Sequence, residues 1–428
     1  MSMRCFSPLI IIVVVSCMGF GVVRAAEPGD LLFEFQKPNH AGGDLFGRSM
    51  ASFGNNVLIS APYDDTVGFG AGAVYMYNTS GQLLQTFYNP TPYSGSAGSE
   101  YFGRGLASLG NSVLIGDPYD SSVVANGGAV YMFDSVTGAL QQTFLNPSGA
   151  GSPGSVLEEI EYFGECIAGV GTDKVLVGAW GGADSPSGST KAYLFDAATG
   201  GLLHTFTCPT PQAYSRFGYS VLSVGGKIAI SQTNYSVGTA TADQRHGAVH
   251  IYDAETYQYL YTLYDPTPIV TGQFGYSLAA FGDDLLVGGY GACLFDLDTG
   301  ELVFDLYEPG MSQSMVARAG DDILVGAPYA SQTATNVGAA YLFDGETGEL
   351  LATIANPTPD SFEYFGVSVA GVGDYAAVAS EYDDTYGFKS GAAYLFKGTS
   401  SPEPASLALL LMGGGFLLRK RSFKRCSQ

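Results

Sequence analysis

The chain has 428 residues, 46% of them hydrophobic, 13% aromatic and only 14% charged, which excludes a disordered polyelectrolyte and a coiled coil and allows a large buried core. Fifty-nine Gly, 20 Pro and 28 Tyr predict many short strands joined by tight turns, an all-β chain. A formal charge of −22 excludes nucleic acid as a partner, since its phosphates are repelled by such a field.

In chain order, Arg4 precedes the apolar run Pro8 to Val15, and Val23-Arg24-Ala25 places small or apolar residues at −3 and −1 of a cut after Ala25. Residues 1–25 read as a secretory signal peptide. A retained anchor is the alternative, against which the run is short and contains glycine. Val14-Val15-Ser16-Cys17 is also similar to a lipoprotein cleavage box, although the apolar stretch continues past it.

Next comes "DLLFEFQKPN" at Asp30 to Asn39, an apolar alternation with the pattern of a strand. Phe-Gly then recurs at Phe46, Phe102, Phe163, Phe217, Phe274 and Phe365, with spacings of 56, 61, 54 and 57 before a gap of 91. That gap hides a degenerate copy in which Ser312-Gln313 replaces Phe-Gly, so the region from 26 to 400 holds seven copies. Each reads as four short strands: one after Phe-Gly, a nearly continuous apolar one such as "NVLISAPY", and two alternating ones such as "GAVYMYN" and "QLLQTFYNP". Repeats of this size and content predict a seven-bladed β-propeller of four-stranded antiparallel blades. The seventh copy lacks a fourth strand after Gly391 to Lys397, and the N-terminal strand is the spare piece that completes it.

Phe-Gly paired with Gly-Ala-Pro, as in Gly326-Ala327-Pro328-Tyr329, resembles FG-GAP repeats of the integrin α-subunit type. Such repeats often carry an acidic Ca²⁺ loop between first and second strands. Here "SFGNN", "SLGNS", "VGGK" and "FGDD" supply too few oxygen ligands for a six- to eight-coordinate cage, so Ca²⁺ is not expected there and no cofactor is assigned. The turns "DSVTG", "DAATG", "DLDTG" and "DGETG" are similar to those of quinoprotein propellers. Asp and Thr bonding the turn backbone, with a positive-φ glycine, account for them without a cofactor. A quinone enzyme also needs a docking series of tryptophans, and Trp180 is the only one.

Strand order puts the second-to-third and fourth-to-first connections, mostly long, on one face, the expected binding face. An aromatic ends the second strand of every copy: Tyr63, Tyr119, Trp180, Tyr235, Tyr290, Tyr329 and Tyr382. Such a ring can stack sugars or grip a peptide, or it can simply wedge between blades. Asp64-Asp65 and Asp383-Asp384, with Asp120 in the same loop of the second copy, are candidates to hold a cation or steer a basic partner, or are solvated loop acids. No H-E-x-x-H, G-x-S-x-G, Walker loop or C-x-x-C occurs, so no catalytic residue is assigned. Cys166, Cys208 and Cys293 read as small buried residues.

The chain closes with Ser401-Pro402-Glu403-Pro404-Ala405-Ser406, an apolar run from Leu407 to Leu418 and the basic stretch Arg419-Lys420-Arg421. In that order, residues 401–428 resemble the PEP-CTERM sorting signal of bacterial envelope and matrix proteins. The resemblance implies recognition by an exosortase at Pro402, Glu403 and Pro404 and release or anchoring beyond the inner membrane, with contact to the membrane only through the terminal segments. Seven of the 18 basic residues and one of the 40 acids lie in the two ends, leaving 11 against 39 between them, net −28. The expected function is a secreted, non-catalytic scaffold that binds a protein or glycan at the cell envelope or in the extracellular matrix. The rivals are a polysaccharide hydrolase or lyase on the loop face and a quinoprotein-like enzyme.

Overall fold

A computed structural model describes residues 26–399 except 40, 93–99, 124–125, 150–160, 182–189, 213–214, 235–245, 269–271 and 332–333. The expected signal peptide, Tyr235, and the expected sorting segment with Pro402, Glu403 and Pro404 lie outside the described residues. Seven sheets of four antiparallel strands form, each a meander of consecutive strands except the last. In that sheet Leu31–Glu34 pairs with the final strand, Ala392–Lys397, so the expected closure is present. No helix among the described residues is long and apolar enough to cross a membrane.

The first strands face the axis. Met50–Phe53 touches Leu106–Leu109, and the contacts continue through Ile167–Val170, Phe217–Val224, Ser277–Phe281, Met315–Ala319 and Ser368–Val372 back to Met50–Phe53. Second and third strands are buried almost throughout, because both faces of each blade are covered by neighbours, which explains their near-continuous apolar runs. Fourth strands are half exposed and bury one apolar residue each, Phe87, Phe144 and Phe206 among them.

Seven hydrophobic clusters fill the seven gaps between blades. The Phe of Phe-Gly is the wedge: Phe102, fully buried, lies 6.0 Å from Tyr131 and 6.2 Å from Phe133 of its own blade, among Leu58, Val74 and Phe87 of the preceding blade. The glycine after it is required by space as well as by conformation. Gly47 has φ +94°, and a Cβ there would lie 2.7 Å from Ala379 Cβ and 2.8 Å from Ala392 O. In the degenerate sixth copy Gln313 has φ +51°, the range of the residues that precede Phe-Gly in the other copies.

The closing strand substitutes for a fourth strand in detail. Phe35, 1% exposed, packs its ring 5.3 Å from Tyr77, as Phe87 packs 5.5 Å from Phe133. Lys37 then enters the first blade, with Nζ 2.9 Å from Asp44 and 2.7 Å from Asp64 and a bond to the Asn39 carbonyl. In the second and seventh blades Asn89 and Asn356 hold the corresponding carboxylates, Glu100 at 2.7 Å and Glu363 at 2.6 Å. One closing segment therefore completes a sheet, an interblade core and a buried charge cluster.

Candidate functional site

The first strand starts where the second ends: Gly47 N donates to Ser60 O at 2.8 Å, and Met50 lies opposite Ile59. The described aromatics that end the second strands, Tyr290 excepted, therefore surround one mouth of the central channel. Between them sits a second set, the residues just before Phe-Gly, whose positive φ (Tyr101 +66°, Tyr162 +49°, Arg216 +50°) turns them towards this face. Tyr63, Tyr101, Tyr119, Tyr162 and Trp180 follow one another with ring centroids 4.9, 4.8, 5.6 and 4.3 Å apart. Tyr219 and Tyr276 continue the arc at 5.4 Å each. Across the mouth Tyr329, Tyr364 and Tyr382 form a second arc at 5.5 Å per step. The rings pack against one another from blade to blade and line the mouth in two arcs.

Inside this rim stand Arg48, Arg104 and Glu165, which, like Tyr219 and Tyr276 of the arc, follow Phe-Gly and line the mouth. Arg48 Nε is paired with Glu381 at 3.0 Å and an Arg104 terminal nitrogen with Glu165 at 2.7 Å. Burial alone lowers the basicity of the Arg104 guanidinium, but the charges of Glu165 and Glu381 and the Glu165 hydrogen bond outweigh it and hold it above its usual value. Arg216 lies 5.0 Å over the Trp180 ring and Lys389 4.3 Å over that of Tyr382, contacts in which a cation faces a π cloud. The Tyr219 hydroxyl is pushed well up by burial and by its neighbours Tyr276 and Glu165, so it stays protonated as a donor.

The mouth encloses a cavity of about 270 Å³ floored by Met50, Leu106, Ile167, Val221, Leu278, Val316 and Val369. A second cavity of about 390 Å³ lies on the other side of this apolar layer, among Ala51, Ala107, Ala168, Ala279 and Arg318. Cys166 lines the upper cavity, where its Sγ bonds the Gly218 carbonyl at 3.0 Å and burial raises the thiol far above its usual value. It is a poor nucleophile.

Several expectations need correction. Tyr290 leaves the rim because the second-to-third connection of the fifth blade is that single residue. Its ring stacks 5.4 Å from Tyr307 instead. The first acid of each expected pair is internal. Asp64, 1% exposed, accepts bonds from Lys37, Tyr75 and the Thr66 amide, and these outweigh burial and hold its carboxyl below the usual range. Asp383, fully buried, binds Thr358 and Tyr394 at 2.7 and 3.0 Å and caps the Thr385 amide. Asp120 repeats this with Tyr131 and Thr91 and caps the Ser122 amide. These acids shape the loops, while Asp65 and Asp384 remain exposed and brace Gly70 and Lys389 amides. Among the described residues no group of three or more His, Cys, Asp or Glu is placed to hold a metal.

The turns between third and fourth strands have the structural account expected of them. Asp134 Oδ1 accepts from the Thr137 amide at 2.7 Å and its hydroxyl at 2.8 Å, and Asp344 does the same with Thr347. Gly300 and Gly348 adopt φ +74° and +73°.

Two stretches of the chain, residues 37–77 and 353–396, match the FG-GAP repeat. These two stretches are FG-GAP-like. The matched stretches fall chiefly in the first and seventh blades, which the closing strand ties together, and the seven-bladed ring agrees with this likeness. A comparison with curated proteins returns no match.

Proposed function

We propose that this propeller is an exported, non-catalytic scaffold that binds a ligand at the aromatic mouth, in the cell envelope or the extracellular polysaccharide matrix. The observation that carries the reading is the rim itself, ten rings in two arcs, of which Trp180, Tyr219 and Tyr276 line a cavity of about 270 Å³ together with Arg48 and Arg104. Aromatic rings offer both apolar faces and hydroxyl donors, which suits sugars and peptides alike. The mouth carboxylates, Glu165 and Glu381, are each held by an arginine, an arrangement suited to positioning donors rather than to passing protons. Export rests on the leader-like residues 1–25, and sorting by an exosortase-type enzyme on residues 401–428. Calcium plays no part in this reading, since the buried loop acids already have protein partners. A glycan and peptide array probed with the exported protein, with turnover assayed on every binder, tests it. Saturable binding without turnover is expected, and conversion of a bound polysaccharide would replace the scaffold by an enzyme.

A further inference from the structure

The described arginines of this acidic chain are concentrated at the channel. Arg48, Arg104 and Arg216 surround the upper mouth, and the fourth described arginine, Arg318, lines the opposite end of the channel. Facing these three cations are two carboxylates, Glu165 and Glu381. A guanidinium has five N–H donors, so one ion pair to each of Arg48 and Arg104 leaves donors over. Arg216 Nε and Trp180 Nε1 are buried, and neither has an acceptor among the described residues. Trp180 is 9% exposed and lines the cavity, held between the parallel Tyr162 ring at 4.3 Å and the Arg216 guanidinium at 5.0 Å. A buried donor without a partner is costly. With a surplus of positive charge at the mouth and guanidinium donors of Arg48 and Arg104 left over at the cavity, the chemistry favours an anionic acceptor.

We propose that the mouth takes the carboxylate of a uronic acid at the end of a short oligosaccharide. This rests on the mouth being the ligand site. A uronate sugar supplies a carboxylate for the guanidinium groups, where bidentate pairing is strongest, hydroxyls for the tyrosine rim, and an apolar ring face for stacking. A peptide terminus supplies a carboxylate but not the ring of hydroxyls that the tyrosine donors can bond. The cavity of about 270 Å³ lies just under the size of ordinary small-ligand pockets, roughly 300–1,000 Å³, and so admits one sugar residue rather than a length of polymer. The acidic exterior selects in the same direction, because it repels an extended polyuronate while the local surplus at the mouth attracts a single charge.

Calorimetric titration of the full protein with trigalacturonate, with its carboxyl-reduced counterpart trigalactose and with a tripeptide bearing a free carboxylate tests the proposal. Trigalacturonate is expected to bind at least about tenfold more tightly than trigalactose, a discrimination worth about 1.4 kcal/mol. Arg216→Gln, which breaks no ion pair among the described residues, and Arg48→Lys, which keeps the charge but loses the fork, should each remove most of that preference while leaving the melting temperature within a few degrees of the parent. Equal affinity for the two sugars overturns the uronate assignment and leaves the scaffold reading standing. Saturable binding of the tripeptide alone assigns the mouth to peptides and overturns it as well. Absence of binding by every probe counts against both.

Discussion

Replacing Lys37 by Met tests whether the closing segment carries the charge that the first blade needs. Lys37 is 2% exposed at its side chain and faces Asp44 and Asp64, themselves 5% and 1% exposed, at 2.9 and 2.7 Å. Asp44 is pushed up, chiefly by burial, in spite of its bond to Lys37, whereas Asp64 is held down because its bonds to Lys37, Thr66 and Tyr75 together exceed the burial penalty. At an effective dielectric constant of about 20, each contact is worth about 6 kcal/mol of gross attraction, most of which offsets desolvation. Removing one partner of such a cluster costs about 3–5 kcal/mol net, because the others stay buried without compensation. Urea unfolding of Lys37→Met at pH 7 should show that loss, and the triple variant with Asp44→Asn and Asp64→Asn should recover most of it. The sign with pH follows. Without Lys37 both carboxyls rise above their unfolded values, so the variant is least impaired below about pH 4, the ordinary carboxyl range, and loses stability as pH rises. A loss under about 1 kcal/mol at pH 7, or one unchanged between acid and neutral pH, would refute the reasoning.

Further outcomes follow from the same structure. Deleting Asp30 to Asn39 removes the strand paired with Ala392–Lys397 and should give aggregation or a large drop in melting temperature; an unchanged soluble product would contradict closure. Asp117, fully buried between Asp120 and Glu100, has its carboxyl pushed well up, first by burial and then by those two acids. Its contribution is full below the ordinary Asp range and is lost as pH rises through the raised value. Asp117→Asn should therefore raise the melting temperature at pH 7 and flatten its pH dependence, as differential scanning across that range would show. A chelator should shift the melting temperature little, whereas a drop of many degrees would reveal ligand linkage to a bound cation. Alanines at Pro402, Glu403 and Pro404 should leave export intact but keep the full-length chain in the inner membrane, checked by intact mass after fractionation; native protein still ending at Gln428 would contradict a sorting signal.

Blade number, strand order and closure are legible in the sequence because each repeat restates one packing solution: Phe102 and Phe163 say the same thing, and the spare "LLFEFQ" pairs with a missing fourth strand. The rim was half legible. Tyr63 and Trp180 end apolar strands and so announce themselves, while Tyr101, Tyr162 and Arg216 belong to it only because their positive φ turns them towards the mouth, which no periodicity encodes. Arg48 and Arg104 look like ordinary strand starts. Aligning the six residues after Phe-Gly as one column is the signal that finds them, once the first strand is known to face the axis. Tyr290 fails for a length reason, a one-residue hairpin in place of a loop. The burial of Asp64 and Asp383 depends on tyrosines eleven residues later, Tyr75 and Tyr394, a partnership across strands that looks in sequence like a pair of exposed loop acids.

Trp180 is the sole tryptophan of the chain and stands in the mouth, so its fluorescence reports on that site alone. Titration with any ligand that binds by calorimetry should give a saturable change in tryptophan emission with the same midpoint. A ligand that binds with full stoichiometry and leaves the emission unchanged would place recognition elsewhere and contradict the assignment of the mouth.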